Sequence, residues 1–296
     1  MFCLGMSEVT RVRQGLREIA TRYRIPLLVA SMALFVGGSV WSIGNLDLEP
    51  AAVSVAPILL VLIVLVPLGI LVSAWNLQLL ARTVETRISL AHSIAATAYG
   101  RIAEILPIPG AAMVRGAALL GSGANFGAMI GVLAWSSLMT LATAGLFAAI
   151  PVLLRFPLQG WVIMAGSACA FVASVAWVAR RAGLGIVGGM IAVRFLTLIL
   201  TTLRFAACFA AISAIVPPVD TLLFVVGSTL TTYIGIVPAG LGIGESISAA
   251  LAVVVGVAPA AAFLAAAINR ISGLVVSGVV ALVMFAAGSY RPAALS

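Results

Sequence analysis

The sequence predicts an all-α integral membrane protein. We expect a polytopic helical bundle of about six full spans and two broken re-entrant hairpins, arranged as an inverted repeat. The 296-residue chain is 63% hydrophobic and only 8% charged, with a mean hydropathy of +1.26. Long apolar stretches recur along it, and proline and glycine interrupt two of them. So few charged residues could not cover the surface of a soluble domain. Lipid is therefore the expected solvent for most of the chain.

Six apolar segments are long enough to cross a bilayer, because about 20 residues at 1.5 Å each span the hydrocarbon core. The six predicted spans are 26–45, 52–80, 124–150, 159–179, 190–216 and 258–288. A basic amphipathic stretch, residues 1–25, precedes the first span. No cleavage site follows the apolar run, so this stretch is interpreted as a cytoplasmic flank rather than a signal peptide.

Two regions, residues 88–121 and 220–257, combine apolar character with helix breakers. Proline removes a backbone donor and glycine loosens a helix, so each region is predicted to be a helix–break–helix hairpin. The second half of each hairpin is too short to cross the membrane alone. The predicted breaks are Pro107, Pro109 and Gly110 in the first region, and Pro238, Gly240, Gly242 and Gly244 in the second.

The arginines orient the spans, because cytoplasmic loops carry an excess of positive charge. Arginines in residues 1–25, the pair Arg82 and Arg87, and the pair Arg180 and Arg181 all fall on one side when the spans alternate. Both termini are then cytoplasmic, in a multi-pass protein of the cell's inner (plasma) membrane. Residues 1–296 form one membrane domain.

Within that domain the order span, broken hairpin, span occurs twice, in residues 52–150 and 190–288. The two copies enter the membrane from opposite faces. Inverted repeats with discontinuous helices are a transporter layout in which the substrate site lies near the midplane. The alternative is that two irregular hairpins arose separately.

Several classes of site are not expected. Three scattered cysteines and a single histidine, His92, form no zinc set. No phosphate-binding loop motif occurs, so a nucleotide is not expected. The arginines cluster near span ends, which favours membrane orientation over nucleic-acid binding. We therefore predict no metal, no cofactor and no catalytic residue.

The segment "VPAGLGIGESISAALAVVVGV" and the helix after it resemble the lysylphosphatidylglycerol synthase transmembrane-region family, also called flippase-like. The family pattern P-x-G-x-G-x-x-E, a G-V turn and a helix with one arginine match Pro238, Gly240, Gly242, Glu245, Gly256, Val257 and Arg270. The earlier "ILPIPGAAMVRGAALL" is similar to the family element L-P-x-x-x-G-x-x-x-R-x-x-x-L, with the glycine displaced by one position.

The resemblance implies a membrane region linked to moving lipid between leaflets. In aminoacyl-phosphatidylglycerol synthases, a separate soluble domain attaches the amino acid. This chain ends at Ser296, soon after its last span. We therefore expect a stand-alone member without the aminoacyltransferase domain.

Charged residues deep in apolar segments are the candidate site residues, because each needs a partner or a wet cavity. Glu245 and Arg270 are predicted to pair, either structurally or as a switchable pair beside a headgroup path. Arg115, Arg204, Arg101 and Glu104 are candidates near a lipid phosphate, since the arginine fork binds two oxygens at once. Arg115 has an alternative role as an interfacial anchor.

Three further polar residues have other expected roles. Arg194 is expected to reach the inner surface and Asp220 to cap a helix. Asn269 faces about 100° away from Arg270 around the helix, so it need not share the site.

The predicted function is lipid translocation, for an anionic phospholipid or a polyprenyl-type lipid. Membrane lipid is the expected partner. A non-transporting scaffold for a lipid-modifying enzyme is the alternative. A membrane-embedded lipid enzyme is a weaker one, because no nucleophile–base pair or metal cluster is evident.

Overall fold

The computed structural model describes residues 26, 29–46, 53–104, 110–234 and 241–288, with only the backbone described for 231–234. These residues form helices and short connections, and no strand occurs among them. The all-α prediction is therefore confirmed for this part of the chain. The helices are α1 (Val29–Asn45), α2 (Val55–Thr83), α3 (Leu90–Ala103), α4 (Gly110–Gly121), α5 (Phe126–Arg155), α6 (Pro157–Ala211), α7 (Pro218–Ile234), α8 (Ile243–Val255) and α9 (Pro259–Ala286).

Four helices are long and apolar enough to cross a membrane: α2, α5, α6 and α9. Many of their large apolar side chains are exposed, as expected where lipid is the solvent. All six predicted spans fall on helices, the first on the shorter α1. The cytoplasmic flank, residues 1–25, lies outside the described residues.

Helix α2 contains one turn of π-helix, Val61–Leu65, which ends two residues before Pro67. Proline has no N–H to donate, and its ring clashes with the carbonyl four residues earlier in an α-helix. A wider turn relieves that clash. The helix therefore passes through the proline and continues to Thr83.

Helix α6 consists of two helices that meet at a kink, and the spans predicted at 159–179 and 190–216 lie on either side of it. Across its 55 residues only Gly183 has non-helical angles, φ 77° and ψ 164°. Those angles interrupt the helix, because glycine without a Cβ adopts a backbone conformation that other residues rarely reach.

The two predicted hairpins each consist of two short helices that pack together, α3 with α4 and α7 with α8. Helix α3 has 14 residues and α4 has 12, so at 1.5 Å per residue each falls short of the hydrocarbon thickness. Most of each break lies outside the described residues. Gly110 opens α4, and a Cβ there would collide with the carbonyl of Ala103 on α3. This glycine therefore lets the two helices of the first hairpin meet.

The half of α6 after Gly183 lies at the centre of the bundle. Phe205 and Phe209 pack on Phe224 of α7, with centroids of the last two rings 5.0 Å apart. All three rings are fully buried. Gly189 lies against Leu79 of α2, and Arg204 reaches α9. This half-helix consequently contacts elements from both predicted repeats.

Candidate functional site

A polar cavity of about 250 Å³ lies inside the bundle, between the two hairpins. Helices α2 to α9 all contribute to its lining. Five arginines and two glutamates face it, an excess of three positive charges. The charged lining residues are Arg101, Glu104, Arg115, Arg194, Arg204, Glu245 and Arg270.

Glu245 and Arg270 form an ion pair across the cavity wall, with Arg270 Nε 3.1 Å from Glu245 Oε1. The Glu245 side chain is only 1% exposed. It lies in the first turn of α8, where the free N–H groups of the helix favour a negative charge. The pair joins the second hairpin to α9.

Arg204 is buried, and its Nη2 donates to the carbonyl oxygen of Asn269 on α9 at 3.1 Å. Asn269 itself lines the cavity. The sequence did not require Asn269 to share the site with Arg270, and the structure places both residues there. A rotation of 100° between neighbours on one helix still leaves both residues on the wall of a wide cavity.

Arg194 corrects the sequence analysis. It is buried and donates to both the hydroxyl and the carbonyl oxygen of Ser136 on α5. It lines the cavity rather than reaching a surface. This part of α6 packs against α2 through Gly189 and against α5 through Ser136, and no local pattern in the sequence shows that.

The first hairpin contributes Arg101, Glu104 and Arg115, all partly buried. Among the described residues, the two recorded ion pairs are Arg155–Asp220 and Arg270–Glu245. Arg101 and Glu104 thus share the cavity without a direct ion pair, although three positions separate them on the chain. Glu104 caps the last turn of α3, next to the hairpin break.

The hydroxyl groups of the cavity wall all donate to their own helices. Each lies within hydrogen-bonding distance of a carbonyl three or four residues earlier, the local bond that serine and threonine make in helices. These hydroxyls offer oxygen lone pairs to the cavity rather than protons, so the guanidinium groups are its main donors. The residues are Ser73, Thr140, Thr197, Thr201, Ser228, Thr229 and Ser248.

The second break brings glycine backbone to the cavity. Gly242 has φ 78°, a conformation that favours glycine, and it precedes α8. Gly244, in the first turn of α8, is buried and lines the cavity. Pro107, Pro109, Pro238 and Gly240 lie outside the described residues.

Two other predicted residues lie away from the cavity. Asp220 is in the first turn of α7. The guanidinium of Arg155 donates to both carboxylate oxygens of Asp220, at 2.8 and 3.0 Å. This pair, which the sequence analysis missed, ties the end of α5 to the second hairpin. His92 is in the first turn of α3, where its backbone N–H donates to the capping Ser89. In the described ranges, no group of three histidine, cysteine or acidic residues is placed to hold a metal.

No family model matches the chain, and no curated protein is similar enough to count as a match. The resemblance to the flippase-like family therefore stays a prediction from the residues.

Proposed function

We propose that this protein is a lipid translocator that carries a lipid with an anionic headgroup between the two leaflets. The substrate is an anionic phospholipid or a polyprenyl-type lipid, and the headgroup passes through the basic cavity. One observation carries the proposal: both hairpins supply charged side chains to a single cavity with excess positive charge. That cavity lies within helices long and apolar enough to cross a membrane.

The chemistry of the cavity supports an anionic ligand. Guanidinium groups bind phosphate and carboxylate oxygens through paired hydrogen bonds. The wall hydroxyls donate their protons to the helices, so the binding of an anion falls to the guanidinium groups. Positive charges are expensive inside a membrane unless water or an anion accompanies them.

The size of the cavity supports a headgroup rather than a whole lipid. At about 250 Å³ it is smaller than the clefts of about 300–1,000 Å³ that enclose drug-sized ligands. The acyl or isoprenoid chains then stay in the bilayer while the headgroup crosses. Without a phosphate-binding loop, the lipid's own gradient or an ion gradient would drive movement.

Leaflet exchange in vesicles tests the proposal directly. The purified protein is reconstituted, and exchange of labelled anionic phospholipids and polyprenyl phosphates is followed by quenching of the outer leaflet. We expect exchange well above that of empty vesicles, and a rate at least tenfold lower for Arg204→Gln. Arg180→Gln is the matched control, since it removes the same charge from an exposed position on the same helix.

Exchange equal to that of empty vesicles for every lipid would overturn the proposal. Copurification of a lipid-modifying enzyme in fixed stoichiometry, together with absent exchange, would favour the scaffold role instead.

A further inference from the structure

Two of the cavity arginines bring their guanidinium groups to the same place. Arg101 extends from α3 in the first hairpin, and Arg204 extends from the central half of α6. A Cβ atom on Gly69 of α2 would lie 3.8 Å from Arg101 Nη2 and 4.0 Å from Arg204 Nη1. A Cβ on Gly273 of α9 would lie 3.3 Å from Arg204 Nη2 and 3.8 Å from Arg101 Nη1. Both guanidinium groups therefore lie against the same two glycines.

Neither of these arginines forms a direct ion pair in the described part of the chain, although Glu104 lines the same cavity and partly offsets the charge of Arg101. Glu245 is engaged by Arg270, and the other recorded ion pair, Arg155–Asp220, is elsewhere. Arg204 has only 8% of its surface exposed, and its Nε has no hydrogen-bond partner among the described residues. Its contact with the carbonyl of Asn269 supplies a dipole but no negative charge.

Two like charges held together in a buried place repel each other unless an anion lies beside both. We propose that Arg101 and Arg204, framed by Gly69 and Gly273, form a binding site for a phosphate monoester, the terminal group of a lipid headgroup. This deepens the proposed function, on which its lipid source rests, by naming the headgroup class.

The charge and shape of the ligand follow from the two guanidinium groups. Each guanidinium presents paired donors to two oxygens. A terminal phosphate offers three free oxygens and nearly two negative charges at neutral pH. A phosphodiester offers two free oxygens and one charge. Two adjacent arginines therefore favour the monoester, both in charge and in number of hydrogen bonds.

The glycines set the space for this site. At 3.3 Å, a Cβ on Gly273 would press on Arg204 Nη2, so any larger side chain would push the guanidinium away. Gly278, five residues later on α9, has no described atom within 4 Å of its Cβ position. The same substitution at these two glycines therefore separates loss of the site from loss of helix stability.

Ligand binding by the purified full-length protein in detergent tests the site. Affinities for dioctanoyl phosphatidic acid, dioctanoyl phosphatidylglycerol and inorganic phosphate are measured by calorimetry at pH 8. We expect the monoester to bind at least tenfold more tightly than the phosphodiester. Gly273→Val should weaken monoester binding at least tenfold, whereas Gly278→Val should leave it unchanged.

Arg204→Lys keeps the positive charge, and it is the second test variant in case Gly273→Val fails to fold. It should also weaken monoester binding at least tenfold, because lysine lacks the planar fork. Equal affinity for monoester and diester would overturn the assignment of headgroup class. Unchanged binding in both Gly273→Val and Arg204→Lys would overturn the location.

Two outcomes separate this inference from the proposed function. Inorganic phosphate binding as tightly as phosphatidic acid, with the same sensitivity to Arg204→Lys, would support the phosphate site and contradict a lipid source. Selective monoester binding without leaflet exchange in vesicles would support the site and contradict translocation.

Discussion

At the scale of single residues, scarcity of charge made the sequence informative. A charged group inside an apolar segment is costly without a partner, so each one is a candidate for the site. By that argument Glu245, Arg270 and Arg204 were selected from sequence, and the structure brings all three to one cavity. Arg194 met the same criterion. Its position near the start of the span 190–216 predicts a surface location. That prediction fails because distance along a helix says nothing about what packs around a residue.

The Glu245–Arg270 pair gives a prediction at this scale. Glu245→Ala should lower the free energy of unfolding by about 3 kcal/mol, because it leaves the partly buried Arg270 without its carboxylate in a cavity that is already positive. The double variant Glu245→Ala, Arg270→Ala restores the original charge excess of the cavity. It should therefore lose less of the free energy of unfolding than Glu245→Ala alone. Thermal unfolding in detergent measures both. Losses that simply add in the double variant would show that the two side chains do not interact.

At the scale of elements, proline and glycine marked where helices break. The two short helix pairs lie where the sequence analysis predicted hairpins, and Gly110 and Gly242 lie at their breaks. The kink in α6 lies between the predicted spans 159–179 and 190–216, where the backbone of Gly183 leaves the helical region. Whether a glycine does so depends on what each half of the helix packs against.

The kink in α6 gives a prediction about Gly183. Its angles, φ 77° and ψ 164°, are in a region that residues with a Cβ rarely adopt. Gly183→Ala should therefore destabilise the protein by about 1–3 kcal/mol, although no atom of the described residues lies within 4 Å of the new methyl group.

Gly185→Ala is the matched control, since it is also exposed with open space around it and has an ordinary backbone. It should be neutral or stabilising by up to about 1 kcal/mol. Both variants are compared by thermal unfolding. Equal effects of the two substitutions would mean that the bend is not set by the backbone of Gly183.

At the scale of the whole molecule, the described helices repeat one order twice. A long helix, two short helices and a long helix occur as α2 to α5, and again from the second half of α6 to α9. This order fits the predicted repeats 52–150 and 190–288. Their opposite orientation in the membrane stays a prediction.

Labelling of single cysteines tests that orientation. In a variant with Cys3, Cys169 and Cys208 replaced by serine, Phe126→Cys marks the start of α5, and Ala258→Cys marks the equivalent start of α9. A membrane-impermeant maleimide should reach position 258 from outside intact cells, and position 126 only after permeabilisation. Labelling of both positions from the same face would contradict the inverted repeat.

The sequence by itself determined the helical class, the apolar spans and the regions where helices break. Those properties depend on local chemistry: hydropathy over about 20 residues, and the backbone limits of proline and glycine. Only the tertiary structure decided that Arg101 and Arg204 meet, and that Asn269 and Arg194 share their cavity. The meeting of two arginines depends on Gly69 and Gly273, which leave room for them from two other helices. Packing between residues distant in the chain creates that space, and it leaves no periodic pattern in the sequence.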